Sequence, residues 1–255
     1  MDLSLRQITH RYDDLEVLKD ISLDIPQGQI VCIIGPSGCG KSTLLRMIGG
    51  LEQPSEGQVL QIGAPPTDSL NPLTYIFQDF ALLPWRTVAG NVSLVLEDHN
   101  MAAADRARII TDVLARTKLA DFHDVLPKQL SGGMKQRVAI ARALAVNPAV
   151  LMMDEPLSAL DSQTSELLID DLVDLWTREP FTACYVTHNL AEAVRLGHRV
   201  AVFSRRPGSL REVVEIDIPL QDRSDTHPKL EAMRQHLWNL MREEAQAADQ
   251  ELADA

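Results

Sequence analysis

The stretch QIVCIIGPSGCGKST, residues 29–43, decides the fold class of this chain. Its first six residues are mostly apolar and β-branched, which predicts a buried strand that ends at a glycine loop. The loop fits the pattern G-x-x-x-x-G-K-[ST], and the LLRMIGG that follows predicts a helix ending at Gly49–Gly50. A buried strand, a glycine-rich loop and a helix in this order are the arrangement that a nucleotide phosphate loop needs. The alternative is an ordinary strand–helix turn that only resembles such a loop.

The residue types of this loop suit phosphate binding. Glycines let the backbone wrap closely around a phosphate and point successive N–H groups at it. A helix that starts at Lys41 adds the positive end of its dipole, and the Lys41 ammonium is expected to reach the β and γ phosphates. The Ser42 hydroxyl is expected to bind Mg²⁺. The residues expected to bind nucleotide are Gly35, Pro36, Ser37, Gly38, Cys39, Gly40, Lys41, Ser42 and Thr43.

Three later apolar runs also have strand length: AVLMMD at 149–154, TACYVT at 182–187 and RVAVFS at 199–204. Near-continuous apolar strands indicate a parallel sheet that is covered on both faces, and their alternation with helical stretches indicates an α/β fold. The region from about 89 to 147 has helical stretches and little strand character, which predicts a helical insertion. After about residue 217 the apolar residues have helical spacing, which predicts a C-terminal helix with a packing face; they are Leu230, Met233, Leu237, Leu240 and Met241.

The run that ends at 154 places two acids, Asp154 and Glu155, at the end of a buried strand. Ligands of open α/β sheets bind at the carboxyl ends of the strands. We expect Asp154 to hold Mg²⁺ directly or through water. Glu155 is expected to point elsewhere, because neighbours on a strand alternate, and to orient or deprotonate an attacking water.

Composition narrows the function classes. The net charge of −12 disfavours a protein that coats nucleic acid or an anionic lipid surface. Three widely spaced cysteines predict neither a disulfide framework nor a zinc site, and suit a reducing cytosol. The N-terminus lacks an apolar signal core, and no apolar run approaches the ~20 residues of a membrane span. We therefore predict a soluble chain with a frayed acidic tail. Any role of this chain at a membrane would depend on partner proteins.

In combination and order, the motifs resemble those of the ATPase subunits of ATP-binding cassette (ABC) transporters, over about residues 3 to 217. GPSGCGKST is similar to the Walker A loop and VLMMDEP to Walker B. LSGGM, which includes Ser131, Gly132 and Gly133, resembles the signature motif, with Met134 where many members carry glutamine. The remaining matches are Gln78 in the Q-loop, Ser158 to Asp161 in the D-loop, His188 as the switch histidine and Tyr12 as the aromatic that stacks on adenine.

The resemblance implies a P-loop NTPase (RecA-like) core with an N-terminal β subdomain and an inserted α-helical signature subdomain. It implies ATP as ligand, with Mg²⁺ bound by Ser42, Gln78 and Asp154, and catalysis by Glu155, His188 and Gln78. It also implies a head-to-tail homodimer, in which Ser131, Gly132 and Gly133 of one copy cap the γ-phosphate of the ATP bound to the other, and it implies that Asp161 belongs to the nucleotide-binding residues. Each lone residue has a plainer alternative: Tyr12 could pack a strand, Gln78 and His188 could be polar strand-end residues, and Asp161 could be a helix cap.

The segments LLPWRTVAGNV, SRRPG and DIPL resemble those of the ATPases in the nitrate/sulfonate/taurine branch of bacterial importers. The ATPase of a pyrimidine-precursor importer has similar segments and is the alternative. The resemblance implies an ATPase domain over 1–217, with a helical subdomain at about 89–147 and a helical extension over 218–255. It also implies a permease partner, docked near Leu82–Trp85, an external solute-binding protein that acts indirectly, and a peripheral position on the cytoplasmic face of the inner membrane. For Trp85, core packing is the alternative. A soluble cassette that acts on nucleic acid and a regulatory nucleotide switch are less consistent with the motifs, so no nucleic-acid partner is expected.

Overall fold

The computed structural model describes residues 1–224 and 227–253, and the side chains of residues 1–224 and 227–244. The chain forms two compact units, Met1–Gly63 with Pro180–Ala255, and Ala64–Glu179. The predicted acidic tail falls mostly on residues whose side chains lie outside the described part. Among the described residues, no helix is long and apolar enough to cross a membrane.

The first unit contains an antiparallel sheet and a group of mainly parallel strands. Strands β1 (Asp2–Tyr12), β2 (Leu15–Ile25) and β4 (Glu56–Ile62) form the antiparallel sheet in the order β2-β1-β4. Strand β3 (Ile30–Ile34) pairs in parallel with β7 (Thr182–Val186) and β8 (Arg199–Phe203), and β9 (Leu210–Glu215) pairs antiparallel with β8. Every residue of β3 and β7 is buried, as their continuous apolar sequences predict.

Three α-helices complete the first unit: α1 (Lys41–Ile48), α6 (Leu190–Leu196) and α7 (Pro228–Ala253). Helix α1 packs against β7, and α6 packs against β3 and α7. Leu230 and Leu237 of α7 are buried and Met233, Leu240 and Met241 are half-buried, which confirms the predicted packing face.

The second unit combines a strand pair with most of the helices. Strands β5 (Leu73–Ile76) and β6 (Val150–Asp154) are parallel neighbours. The helices are α2 (Val88–Ser93), α3 (Ala103–Arg116), α4 (Gly132–Leu144) and α5 (Ser162–Arg178). Helix α3 buries Ile110, Val113 and Leu114, whose spacing places them on one face. Helix α4 packs against β5 and the other three helices.

This architecture confirms the predicted fold class: parallel α/β strands behind a glycine loop, an N-terminal β sheet and a helical region that carries the signature. The predicted strands at 29–34, 149–154, 182–187 and 199–204 correspond to β3, β6, β7 and β8. The predicted domain boundaries, including the extension from 218, stay a prediction.

Candidate nucleotide site

The loop between β3 and α1 surrounds the Lys41 side chain. Lys41 is buried, and its Nζ donates hydrogen bonds of 2.9 Å to the backbone oxygens of Gly35 and Pro36. Gly38 and Gly40 have φ angles of 75° and 99°, values that glycine adopts without steric cost. The loop conformation therefore depends on the glycines of the motif.

The start of α1 suits an anion. The helix begins at Lys41, and its first turn contains no acidic residue. The N–H groups of a first helical turn have no intrahelical acceptor, and the helix dipole adds positive potential there. Ser42 is exposed at this turn, next to the buried Lys41. Burial raises the pKa of the Cys39 thiol, so it stays protonated and serves as an apolar packing group.

Tyr12 lies in a polar cluster at the end of β1. The ring is 40% exposed and meets the His10 ring edge-on, with 4.6 Å between centroids. Its hydroxyl accepts a hydrogen bond of 3.2 Å from Arg46, which also pairs with Glu52 at 3.2 Å. The exposed fraction of the Tyr12 ring does not fit the alternative that this residue only packs a strand. The hydrogen bond from Arg46 to the Tyr12 hydroxyl holds the exposed ring in one orientation.

His188 follows β7, the neighbour of β3. The Thr187 N–H donates to the Ile33 backbone oxygen at 3.2 Å, which joins the two strand ends. The phosphate loop starts at Gly35, so the loop and His188 leave the same edge of the sheet. The first unit thus groups Tyr12, the phosphate loop and His188.

The second unit brings Gln78 together with the two acids at the end of β6. Asp154 is half-buried and accepts a hydrogen bond of 3.0 Å from the Tyr75 hydroxyl. Gln78 Nε2 donates to Ser158 Oγ at 3.2 Å, and that hydroxyl donates to the Glu155 backbone oxygen at 2.9 Å. Because β5 and β6 are parallel neighbours, their carboxyl ends place these groups at one edge.

The expected reason for the direction of Glu155 is wrong. Strand β6 ends at Asp154, and Glu155 has a φ of 45°, in the left-handed region. The alternation of a continuing strand therefore does not separate the two carboxylates. Glu155 instead stands in a left-handed turn, a conformation that costs a non-glycine residue energy and is often found at functional sites.

The signature residues stand at the start of α4. Ser131 is the N-cap, and its Oγ accepts a hydrogen bond of 3.3 Å from Met134 N. A Cβ at Gly132 would lie 2.8 Å from Leu160, and one at Gly133 would lie 2.6 Å from Thr164. Any larger residue at these positions would displace side chains of the D-loop and α5, so glycine allows the close packing seen here.

Asp161 is the N-cap of α5, as its plainer interpretation predicts. Its carboxylate accepts hydrogen bonds from Thr164 N at 2.9 Å and Thr164 Oγ1 at 2.7 Å. The backbone bond from Thr164 is the main cause that lowers the pKa of Asp161. The carboxylate therefore stays ionised at neutral pH and fixes the turn between β6 and α5.

The segment after Gln78 exposes apolar side chains. Trp85 is 73% exposed and Phe77 is 49% exposed, while Leu82 and Leu83 are half-buried. The alternative that Trp85 packs in the core is therefore wrong. The loop is anchored by Asn91, whose Oδ1 accepts from Leu83 N at 2.7 Å. An exposed tryptophan on an anchored loop is typical of a contact surface.

Sequence reasoning missed the residues that support the site. Tyr75 binds Asp154, and Arg46 binds Tyr12 across 34 positions of sequence. Tyr75 lies three residues before Gln78, and Arg46 five after Lys41. Their nearness to the motifs in sequence was the one available signal that these two residues support the site. It does not indicate that Tyr75 binds Asp154 or that Arg46 binds Tyr12.

Comparisons with known proteins establish the family of the chain. The family model described as ABC transporter matches residues 18–158. The chain therefore belongs to the ABC transporter family and is its ATP-binding cassette, an ATPase.

Several relatives and one solved structure are similar to the chain over most of its length. A putative ATP-binding protein of Brucella abortus biovar 1 (strain 9-941) is 41% identical, over 98% of this chain and 96% of the relative. A nitrate import ATP-binding protein of Synechocystis sp. is 43% identical, over 79% and 76%. An aliphatic sulfonates import ATP-binding protein of Xanthomonas axonopodis pv. citri is 42% identical, over 92% and 94%. The ATP-binding cassette MJ0796, solved as a dimer in a post-hydrolysis state with ADP and Pi, superposes with a TM-score of 0.70 at 34% identity, over 84% of this chain and 98% of that one.

Proposed function

We propose that this ATPase is the nucleotide-binding subunit of a bacterial importer, and that it couples ATP-driven closure of a cassette dimer to solute movement through a membrane permease. The observation that carries the proposal is a pair of helix starts that suit an anion, α1 behind the phosphate loop and α4 behind Ser131. One chain needs two such starts if each ATP is bound by the phosphate loop of one copy and the signature of another. The dimeric cassette MJ0796 supports this assembly.

Ser131 fits the role of capping a γ-phosphate. Its oxygen accepts a hydrogen bond from Met134 N, and its O–H remains able to donate a hydrogen bond to a phosphate oxygen. The side chain is exposed at the helix start, next to N–H groups of the first turn. Binding of ATP would then favour the closed dimer, and hydrolysis would favour the open one.

The residues proposed to hold Mg²⁺ each offer an oxygen donor. Asp154 supplies a carboxylate that Tyr75 orients, and Ser42 supplies an exposed hydroxyl. Gln78 is oriented by Ser158 and supplies an amide oxygen, since its Nε2 is the donor to that hydroxyl. Hard oxygen ligands of this kind suit Mg²⁺, which would neutralise phosphate charge when bound. Glu155 is the proposed base that orients water, and His188 the proposed switch that senses the γ-phosphate.

The permease would dock on the segment Leu82–Trp85, which would hold the chain at the cytoplasmic face of the inner membrane. The solute is proposed to be small and of the nitrate, sulfonate or taurine kind, because relatives of similar identity carry the names nitrate and sulfonate importers. An external binding protein would deliver it. A pyrimidine precursor is the alternative, since no residue of a cassette contacts the solute.

Trp85→Ala tests the docking surface. Exposed aromatic anchors contribute about 2 kcal/mol or more at interfaces, so we expect the affinity for the permease to fall at least tenfold while ATP affinity stays unchanged. The measurement is co-purification of membrane subunits with a tagged chain expressed in its native host. Trp238→Ala is the matched control, because that tryptophan is 54% exposed on α7. Equal recovery of membrane subunits with all three proteins would contradict the proposal.

A further inference from the structure

A buried carboxylate stands at the start of the helix that follows His188. Glu192 lies in the first turn of α6 and is 6% exposed. It accepts three hydrogen bonds: from the Tyr185 hydroxyl at 2.9 Å, Thr187 Oγ1 at 2.8 Å and Asn189 Nδ2 at 3.3 Å. Burial, with the Glu192 charge second, raises the pKa of Tyr185 well above its usual value, so this hydroxyl stays a donor.

Two of these donors are the immediate neighbours of His188. Thr187 and Asn189 both bind the Glu192 carboxylate, and Asn189 N also donates to Thr187 Oγ1 at 3.0 Å. Asn189 Oδ1 in turn caps α6 by accepting from Ala191 N at 2.9 Å. The backbone on each side of position 188 is therefore held by the same carboxylate.

The other end of α6 is held by a buried cation. Arg223 is 2% exposed and donates to the backbone oxygens of Val194 and Gly197, at 2.9 and 2.6 Å. A carboxylate at the N-terminus and a guanidinium at the C-terminus both complement the helix dipole. The two ends differ in one respect: the Glu192 end adjoins His188, and the Arg223 end joins α6 to the segment after β9.

We propose that Glu192 is a positioning residue for ATP hydrolysis, which acts by holding the Thr187–Asn189 turn and therefore His188 in one conformation. The inference rests on the proposed role of His188. A buried carboxylate is costly unless it is fully hydrogen-bonded, and these three donors meet that requirement only when the turn has this conformation. Glu192 is not assigned a contact with nucleotide, so its effect should fall on turnover and not on ATP binding.

The test compares Glu192→Gln, His188→Ala and the double variant. The glutamine keeps the shape and removes the charge that the three donors share, so we expect kcat to fall about tenfold with KM for ATP and ATP affinity unchanged. In the His188→Ala background, Glu192→Gln should have no further effect on the single-turnover rate, because its effect passes through His188. Tyr185→Phe removes one of the three donors and should lower kcat about threefold. This variant replaces Glu192→Gln in the test if Glu192→Gln does not fold.

Arg223→Met is the control for simple destabilisation, because it loosens the far end of the same helix. We expect it to lower the melting temperature and to keep kcat within twofold at a temperature where it is folded. Wild-type kcat in Glu192→Gln and Tyr185→Phe, beside an inactive His188→Ala, would overturn this inference alone. Additive losses in the double variant would also overturn it. A fully active His188→Ala would overturn the proposed role of His188 and this inference with it.

Discussion

Replacing Arg223 with methionine should destabilise the first unit strongly. The guanidinium donates to five backbone oxygens, and methionine has similar length but no donor. The oxygens belong to the C-terminal end of α6 and to the residues that follow β9; they are those of Val194, Arg195, Gly197, Ile216 and Ile218. Burial lowers the pKa of Arg223 to about 10, so the side chain remains a cation at neutral pH.

Two terms of opposite sign determine the size of the effect. Hydrogen bonds from a charged donor contribute about 1.5–3 kcal/mol each. The sum over the five bonds of Arg223 exceeds the cost of desolvating the cation by several kcal/mol. Methionine leaves these backbone oxygens without a donor, at a cost of about 1–3 kcal/mol each, and saves the cost of desolvating the cation, so the net loss is about 3–5 kcal/mol. We expect a loss in this range, which for a chain of this size lowers the melting temperature by roughly 6–20 °C.

Urea denaturation followed by circular dichroism, together with thermal melts, measures this loss. The control is Arg199→Met, since Arg199 is an arginine of the first unit that is only half-buried and pairs with the exposed Glu215 at 3.1 Å. Such a pair contributes about 0–1 kcal/mol. If Arg223→Met lost no more stability than Arg199→Met, the buried hydrogen bonds would not stabilise the fold as argued.

Two further predictions concern the shared site and the response to acid. Ser131→Arg should leave ATP affinity of the monomer unchanged but reduce the ATPase rate at least tenfold, because a bulky cation replaces the capping hydroxyl; a normal rate would count against the shared site. Burial, and secondarily Arg223, lowers the pKa of His198 from 6.5 to about 4, while its Nδ1 accepts from Ile30 N at 3.0 Å. At this histidine the unfolded chain therefore binds a proton as pH falls through 6.5, and the folded chain does so only near 4. The folded state loses stability between these two pH values. The loss is roughly 1–2 kcal/mol, because His198 is partly exposed and solvent screens part of the effect. Urea midpoints from pH 7 to 4 should fall more steeply for the wild type than for His198→Gln; parallel slopes would refute the assignment.

Local patterns predicted the parts of the fold that depend on neighbours in sequence. The buried strand, the glycine loop and the start of α1 follow from one stretch, and all are observed where it predicts them. The cap at Asp161 was also predictable, because a capping side chain binds within three residues of itself. The signature helix begins at Ser131 for the same reason.

Contacts between distant residues could not be predicted in this way. Arg223 reaches residues 26–29 positions earlier, and its own neighbours resemble an ordinary polar loop. Tyr185 on β7 and Glu192 on α6 lie seven residues apart, and their hydrogen bond depends on how both elements pack on β3. The left-handed conformation of Glu155 could not be predicted either, because the expectation for its direction used the alternation of a strand, and strand β6 ends one residue earlier. The roles of the site residues stay predictions.

The central claim is that ATP is bound between two copies of this chain, and Glu155→Gln tests it most directly. The variant keeps the shape of the side chain but replaces one carboxylate oxygen with nitrogen, which makes it a far weaker base, so ATP should bind and persist. Sedimentation velocity should show a monomer without nucleotide or with ADP, and a dimer with ATP and Mg²⁺. Adding Ser131→Arg to the same variant should abolish that dimer while ATP still binds. A Glu155→Gln protein that binds ATP and remains a monomer at every concentration, or that hydrolyses ATP at the wild-type rate, would contradict the account.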